Sequence, residues 1–273
     1  MIGKLIERIV AVLMFVIALC PVFLFPNQLC AAQATQEEMM HIAVAANFAK
    51  PVKAISAEFE TRSGVHAIIT VASSGTLYAQ IKSGAPFDVF LSADAERPLQ
   101  LVEDGLVASS AVKTYAVGRL AYLSRSLAEP AIDDLKTAAL APNEKLAIAN
   151  PRLAPYGLAA QQTLLKLALW QQMLPSLVYG KNILQAYQYY TSGNVNNALV
   201  AWSLIKDRSS HVVLIPEHYH EPIVQKMAVM KAAAHPEAAA RFMEYLLSPK
   251  VQKSLDDWGY GQALDTPGES LGN

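Results

Sequence analysis

Short apolar runs alternate along the chain with segments whose apolar residues recur at helical spacing. The runs predict strands and the periodic segments predict helices. Strands are predicted over residues 41–45, 67–71, 89–92, 146–149, 212–215 and 223–230, and helices over 51–63, 76–82, 96–104, 183–192 and 236–247, with one more that follows a turn at 155–157 and runs to about residue 170. Residues 115–124 read as one extended segment, and residues 198–204 fit either a strand or a helix. This alternation is typical of α/β units built around a mainly parallel sheet.

The strand–helix series begins again at Leu146, so we expect one α/β unit, a crossing to a second unit, and a return. The predicted architecture has two lobes, each a mainly parallel sheet flanked by helices, joined by two hinge crossings. Residues 35–117 would form the first part of lobe 1, residues 118–222 lobe 2, and residues 223–273 the return to lobe 1. A cleft between lobes favours a binding site, and the turns that end parallel strands point toward it.

The N-terminus has the layout of a secretory signal peptide. Lys4 and Arg8 precede an apolar run over residues 9–25, and small residues follow, among them Ala32 and Ala34. Basic start, short apolar core and small-residue cleavage site together predict that residues 1–34 are removed on export. Cleavage after Ala32 fits as well as cleavage after Ala34. A retained anchor helix is the alternative, but two prolines interrupt the run and it is short for a membrane span.

Charge and cysteine content narrow the class of protein. The chain carries 22 Lys and Arg against 23 Asp and Glu, a net charge of −1. A near-neutral chain lacks the basic footprint of a nucleic-acid-binding protein, so no nucleic-acid partner is expected. Cys20 and Cys30 both lie in the predicted signal peptide. The exported protein is therefore expected to need neither disulfides nor thiolate metal ligands.

Three turns carry small polar residues where a predicted strand gives way to a predicted helix. They are residues 45–47 (Ala-Ala-Asn), 72–76 (Ala-Ser-Ser-Gly-Thr) and 154–157 (Ala-Pro-Tyr-Gly). The start of a helix presents backbone N–H groups without intrahelical acceptors, and the positive end of the helix dipole. Anions bind at such places without a Lys or Arg. Three turns of this type, with hydroxyl and amide groups at their tips, suggest an oxyanion cage.

Each residue of the cage also has a simpler interpretation. Taken alone, Ser73, Ser74 and Asn47 are more often helix caps than ligands. Asp88 and Asp94 could form a catalytic pair, but a structural or capping role is favoured. A hydrolase would need an activated nucleophile, and Ser74 lies outside any G-x-S-x-G motif. No metal site with three well-spaced ligands is visible in the sequence.

Several ordered segments between residues 41 and 261 resemble the periplasmic molybdate-binding proteins of bacterial ABC transporters. They are Val-Ala-Ala-Asn-Phe at 44–48, Ser-Ser-Gly at 73–75 with Tyr-Ala-Gln-Ile at 78–81, Gly-Ala-Pro-Phe-Asp-Val-Phe-Leu-Ser-Ala-Asp at 84–94, Asn-Pro at 150–151 with Ala-Pro-Tyr-Gly-Leu-Ala at 154–159, and Tyr-His-Glu-Pro-Ile-Val-Gln at 219–225. Each segment is weak alone. Their order and spacing over both lobes make the set specific.

The resemblance implies a type II periplasmic binding protein fold and an oxyanion held by uncharged donors from both lobes. Matched position by position, the donors are Ala46, Asn47, Ser74, Tyr156 (chiefly its backbone N–H) and Leu184. Some family members add a tyrosine where this chain has Ala201, so that donor is missing. Around Leu184 the family often has Val-Gly, which makes this the least secure match.

The resemblance further implies a periplasmic monomer that takes molybdate or tungstate, needs no cofactor, coordinates no metal directly through side chains, and delivers its ligand to an inner-membrane ABC permease. A binding protein for sulfate or phosphate is the alternative within the class. A secreted hydrolase is the alternative outside it.

Overall fold

The computed structural model describes residues 38–140 and 143–261, so the predicted signal peptide lies outside the described residues. Within them the strands are β1 (Met39–Ala45), β2 (His66–Ala72), β3 (Val89–Leu91), β4 (Val107–Gly118), β5 (Leu120–Ser124), β6 (Leu146–Ala149), β7 (Leu177–Gly180), β8 (Asn197–Ala201), β9 (Val212–Leu214) and β10 (Ile223–Met230). They form two five-stranded sheets. One has the order β2-β1-β3-β10-β4 and the other β7-β6-β8-β5-β9.

Helices connect and cover these strands. The α-helices of the described residues are α1 (Ala49–Ser63), α2 (Ser74–Lys82), α3 (Glu96–Glu103), α4 (Asp134–Leu140), α5 (Pro155–Lys166), α6 (Trp170–Met173), α7 (Ile183–Thr191), α8 (Pro236–Leu246) and α9 (Pro249–Asp257). Short 3₁₀ turns lie at Ala46–Phe48, Leu174–Ser176, Trp202–Leu204 and Glu217–Tyr219. Among residues 38–140 and 143–261, no helix combines the length and apolar character needed to cross a bilayer.

Each sheet is mixed rather than mainly parallel. In the first sheet β1 pairs in parallel with β2 and β3, while β10 runs antiparallel to β3 and β4. In the second sheet β6 pairs in parallel with β7 and β8, while β5 runs antiparallel to β8 and β9. Strands β5 and β10 both follow a crossing between the sheets. A strand that enters from the other lobe starts at the opposite end of the sheet, which reverses its direction.

The chain passes between the sheets at two adjacent points. Strand β4 ends at Gly118 in the first sheet and β5 begins at Leu120 in the second, so the predicted single segment 115–124 is two strands. The return is made at β10, whose first residue, Ile223, pairs with Gly118. We call residues 38–118 and 223–261 lobe 1, and the described residues of 119–222 lobe 2. Both connections therefore lie side by side, as a hinge requires.

The cores explain why the strand ends are held firmly. Lobe 1 buries apolar residues on both faces of its sheet, including Val44 and Phe48 on one face and Leu77 and Phe90 on the other. The apolar cluster of lobe 2 continues across the cleft to the small residues Ala45, Ala46 and Ala93 of lobe 1. Since apolar burial is the main favourable term in folding, the loops that follow β1, β2 and β6 start from fixed positions. The two-lobed α/β fold predicted from the sequence is confirmed.

Candidate anion-binding site

A small cavity lies between the lobes, at the ends of strands from both sheets. The space free of protein atoms there is about 190 Å³, part of which is open to solvent. Its lining comes from four turns and the segment after β3: Ala45, Ala46, Asn47, Ser73, Ser74, Ala93, Ala154, Pro155, Tyr156, Asn182 and Ile183. Every one of these side chains is uncharged. Of the five residues matched to the family's ligands, the cavity brings together Ala46, Asn47, Ser74 and Tyr156, and Leu184 lies outside its lining.

The first turn offers backbone rather than side-chain donors. Strand β1 runs directly into the 3₁₀ turn Ala46–Phe48, so the first N–H groups of that turn have no local acceptor. The Asn47 side chain points into the protein, where Nδ2 donates to Gln225 Oε1 at 2.8 Å and to Tyr260 Oη at 3.2 Å. An amide nitrogen has two hydrogens, so both are used. The Asn47 side-chain amide is thus engaged within the protein in this structure, and the donors that the first turn leaves for a ligand are its backbone N–H groups.

The second turn separates the roles of two adjacent serines. Ser73 is the N-cap of α2: its Oγ accepts the Thr76 N–H at 3.3 Å and lies 2.7 Å from Thr76 Oγ1. Ser74 is the first helical residue, and its Oγ accepts the Ala93 N–H at 2.9 Å. Because that bond occupies a lone pair and leaves the hydroxyl hydrogen free, Ser74 is oriented as a donor. The capping interpretation therefore fits Ser73. The Ser74 hydroxyl lines the cavity and can donate its hydrogen there.

The third turn brings a lobe 2 helix start against the cavity. Helix α5 begins at Pro155, which has no N–H, so Tyr156 carries the first backbone donor of the helix. A side chain at Gly157 would approach the Ala149 carbonyl oxygen to 2.3 Å, which explains the glycine after Tyr156. Burial raises the pKa of the Tyr156 phenol well above its ordinary value, and the nearby Tyr260 adds to that rise. The phenol therefore stays neutral beside a bound anion.

The fourth turn differs from the match made on sequence. Helix α7 starts at Ile183, capped by Asn182, whose Oδ1 accepts the Gln185 N–H at 3.0 Å. The Gln185 side chain in turn accepts the N–H of Lys181, the residue before the cap, at 2.7 Å. This cap fixes the rotation of α7 so that Ile183 faces the cavity. Leu184, matched to a donor from the sequence, packs instead against the core of lobe 2 and does not line the cavity.

Charged groups stay at the rim. Asp94 pairs with Arg97 there, and the Arg97 guanidinium also donates to the Arg152 carbonyl of lobe 2 at 3.3 Å. Next to it, the Gly75 N–H donates across the cleft to the Leu153 carbonyl at 2.9 Å. The buried Asp88 carboxylate accepts the backbone N–H groups of His41 and His235, so it holds lobe 1 together. Both carboxylates have the structural roles favoured from the sequence.

The arrangement can bind but carries no reaction chemistry. Helix starts from both lobes and the Ser74 hydroxyl border an uncharged space between the lobes. Fixed dipoles in a region of low dielectric stabilise negative charge strongly. The Ser74 hydroxyl accepts from a backbone amide and has no base bonded to it among the described residues. A small anion that accepts hydrogen bonds and donates none matches this donor set.

Comparison with known proteins places the chain in a class. Residues 40–261 match the model of the family described as bacterial extracellular solute-binding protein. The fold is also that of a solved Azotobacter vinelandii periplasmic molybdate-binding protein, with a TM-score of 0.75 and 31% identity over 81% of this chain and 98% of that chain. The chain belongs to the family of bacterial extracellular solute-binding proteins, and its fold is the type II periplasmic binding protein fold.

Within this family, curated relatives narrow the comparison. The chain is 40% identical to the molybdate-binding protein ModA of Rhodobacter capsulatus over 220 residues, covering 80% of this chain and 86% of the relative. It is 38% identical to the molybdate-binding protein ModA of Azotobacter vinelandii over 238 residues, covering 85% and 92%. These relatives are binding proteins, not enzymes, so the hydrolase alternative is set aside.

Proposed function

We propose that this protein captures molybdate, and tungstate equally well, in the cavity between its lobes and delivers it to an ABC permease. The observation that carries the proposal is that Ala46, Asn47, Ser74 and Tyr156, from both lobes, line one uncharged cavity. The identity to relatives named as molybdate-binding supports the same ligand. The protein works as a periplasmic monomer without a cofactor, after loss of residues 1–34.

In this proposal the donors are the backbone N–H groups at Ala46, Asn47, Tyr156 and Ile183, together with the Ser74 hydroxyl. Molybdate is a tetrahedral dianion at neutral pH and has no hydrogen to give. Hydrogen bonds to a charged acceptor contribute roughly 1.5–3 kcal/mol each. Several such bonds outweigh the costs of desolvation and lobe ordering. No cation is needed, because the donors are fixed by the strand ends that carry them.

In this proposal, the fixed size of the cavity determines which anions bind tightly. Molybdate and tungstate have nearly the same radius, whereas sulfate is smaller and has shorter bonds. A cage fixed by two packed lobes leaves sulfate out of reach of at least one donor, and one lost charge-assisted bond weakens binding roughly 10- to 150-fold. Phosphate near neutral pH carries a hydrogen, which a cage of donors cannot accept.

The test is calorimetric titration of the exported form with molybdate, tungstate, sulfate and phosphate. We expect molybdate and tungstate to bind with similar affinity, sulfate at least roughly tenfold more weakly, and phosphate not measurably. Sulfate affinity equal to that of molybdate would refute the size argument and favour a sulfate-binding protein. Absence of molybdate binding would refute the proposal altogether.

A further inference from the structure

A cluster of buried polar side chains lies behind the cavity, where the lobes meet. We call it the hinge cluster: Asn47, Tyr115, Gln225 and Tyr260 of lobe 1, with Tyr156 and Ser203 of lobe 2. Its members come from segments far apart in the chain and are joined by direct hydrogen bonds. Tyr260 Oη, for example, donates to the Asn47 carbonyl at 2.7 Å and lies 2.9 Å from Ser203 Oγ. The cluster therefore links the two lobes.

Gln225 occupies the centre of the hinge cluster. Its Oε1 accepts from Asn47 Nδ2 at 2.8 Å and lies 3.0 Å from Tyr115 Oη, whose single hydrogen also has the Ser92 carbonyl within 3.0 Å; all of these residues belong to lobe 1. Its Nε2 donates to Tyr156 Oη of lobe 2 at 3.2 Å. The two ends of one amide thus hold two residues that line the cavity, one from each lobe. Gln225 itself is fully buried and does not line the cavity.

Gln225 lies beside a crossing between the lobes, so its bond to Tyr156 is placed where lobe motion can make or break it. It is the third residue of β10, directly after the return crossing, and the pairing of β10 with β4 shifts register just beyond it. Gly118, at the other crossing, leaves the space that the Tyr156 hydroxyl fills. A Cβ at Gly118 would lie 2.2 Å from Tyr156 Oη and 2.8 Å from Gln225 Nε2. Tyr156 can reach Gln225 only because the hinge residue has no side chain.

We propose that Gln225 is a positioning residue that couples closure of the lobes to assembly of the anion site. This inference rests on the proposed function. Rotation about the two crossings separates Tyr156 from Gln225 but leaves Asn47 and Tyr115 bonded to it, because these belong to the same lobe. The Gln225–Tyr156 bond is therefore made on closing, at the moment when the Tyr156 backbone N–H meets the anion. Its free energy slows release of the ligand.

A double-mutant cycle tests the coupling. Tyr156→Phe removes the hydroxyl but keeps the backbone donor, and Gln225→Met removes the amide at similar volume. We expect Tyr156→Phe alone to speed molybdate release about 3- to 10-fold, the range for one buried neutral hydrogen bond, and to have little effect in the Gln225→Met background. Release is followed by stopped-flow exchange. Effects that multiply independently, or an unchanged release rate in Tyr156→Phe, would overturn the inference.

Tyr122 provides the matched control. It is equally buried, and its Oη donates to Asn197 Oδ1 at 2.7 Å, but both residues lie in lobe 2. Tyr122→Phe should lower the melting temperature and leave molybdate release unchanged. If it speeds release as much as Tyr156→Phe, the effect is a general loss of stability and the inference is refuted.

Gly118→Ala approaches the same contact from the other crossing. The added methyl group occupies the place of Tyr156 Oη in the closed form, so we expect weaker molybdate binding. Tyr156→Phe should then partly restore affinity, reversing the sign of its effect in the wild type. A further loss would contradict the inference. If the wild type binds no molybdate, the proposed function fails; if it binds and the cycle shows no coupling, only this inference fails.

Discussion

Ser73 and Ser74 provide the most direct test of the proposed site, because their hydroxyl groups make different hydrogen bonds. Ser74 Oγ accepts the Ala93 N–H and keeps its hydrogen for the cavity, whereas Ser73 Oγ is engaged with Thr76. Both residues are buried and both line the cavity. Replacing each by alanine removes one hydroxyl at nearly the same place. Any difference in ligand affinity then reports what each hydroxyl does.

The expected magnitudes follow from these contacts. Ser74→Ala removes a donor to a dianion, which costs roughly 1.5–3 kcal/mol of binding, or roughly a 10- to 150-fold rise in the molybdate Kd. It also leaves the buried Ala93 N–H without its acceptor, at roughly 1–3 kcal/mol of stability. Ser73→Ala removes a helix cap, worth about 1 kcal/mol of stability, and should change the Kd less than about twofold. Both variants are destabilised, and only Ser74→Ala loses affinity.

The assay pairs calorimetric titration with thermal unfolding of the ligand-free protein. The unfolding data separate loss of stability from loss of contact, since both variants lower the melting temperature. An unchanged Kd in Ser74→Ala would make Ser74 a structural residue only. An equal rise of the Kd in both variants would mean that ligand affinity depends on the position of the start of α2 and not on the Ser74 hydroxyl alone.

Two further predictions address the fourth turn and the buried tyrosines. Ile183→Pro removes the first N–H of α7 at a position where proline is tolerated, and Asn182 before it is already extended. We expect the molybdate Kd to rise roughly tenfold or more, whereas Ile183→Val, which keeps the backbone N–H, should leave it unchanged. An unchanged Kd in Ile183→Pro together with a raised Kd in Leu184→Pro would restore Leu184 as the donor. Burial raises the pKa of Tyr115, Tyr156 and Tyr260 above the ordinary value of 10.0. Their neutral form is thus favoured in the folded state, so this stabilisation is complete below pH 10 and is lost as pH rises further. Calorimetry from pH 7 to 11 should show the melting temperature falling above pH 10, less steeply in Tyr260→Phe, and equal slopes would argue against this account.

Short-range sequence signals predicted the helix starts that line the cavity. A strand followed at once by Ala-Asn, Ser-Ser-Gly or Pro-Tyr-Gly encodes a helix start within a few residues, and such signals do not depend on the rest of the fold. These signals located the three turns, and the resemblance to the molybdate-binding family then selected Ala46, Asn47, Ser74 and Tyr156 within them. The start of α7 was also predicted, but which of its first N–H groups faces the cavity depends on the rotation of the helix. That rotation is set by the hydrogen bonds of Asn182 and Gln185 at the helix start, which the match to the family did not take into account.

The hinge cluster escaped sequence reasoning because its bonds join residues far apart in the chain. Asn47 lies 178 residues from Gln225 and 213 from Tyr260, and no local pattern relates them. One signal was available. Strand β10 alternates buried and half-buried positions, and Gln225 occupies a buried one among Ile223 and Met227. A buried polar residue in an apolar strand needs a partner, so Gln225 could have been singled out without naming that partner. The mixed sheets were missed for a related reason, since strand direction after a crossing is a property of the whole topology.

If the proposed function holds, an uncharged site divided between two lobes lets ligand binding drive closure. A ligand shifts a conformational equilibrium only by the difference in its affinity for the two states. An arginine in one lobe would attract an anion whether the cleft were open or closed, so much of its binding energy would not depend on closure. Asn47 and Ser74 line the cavity from lobe 1, and Tyr156 and Ile183 line it from lobe 2. Under the proposed function, the lobe 2 donors reach the anion only when the lobes meet, so their hydrogen bonds depend on closure and ligand binding changes the shape of the protein.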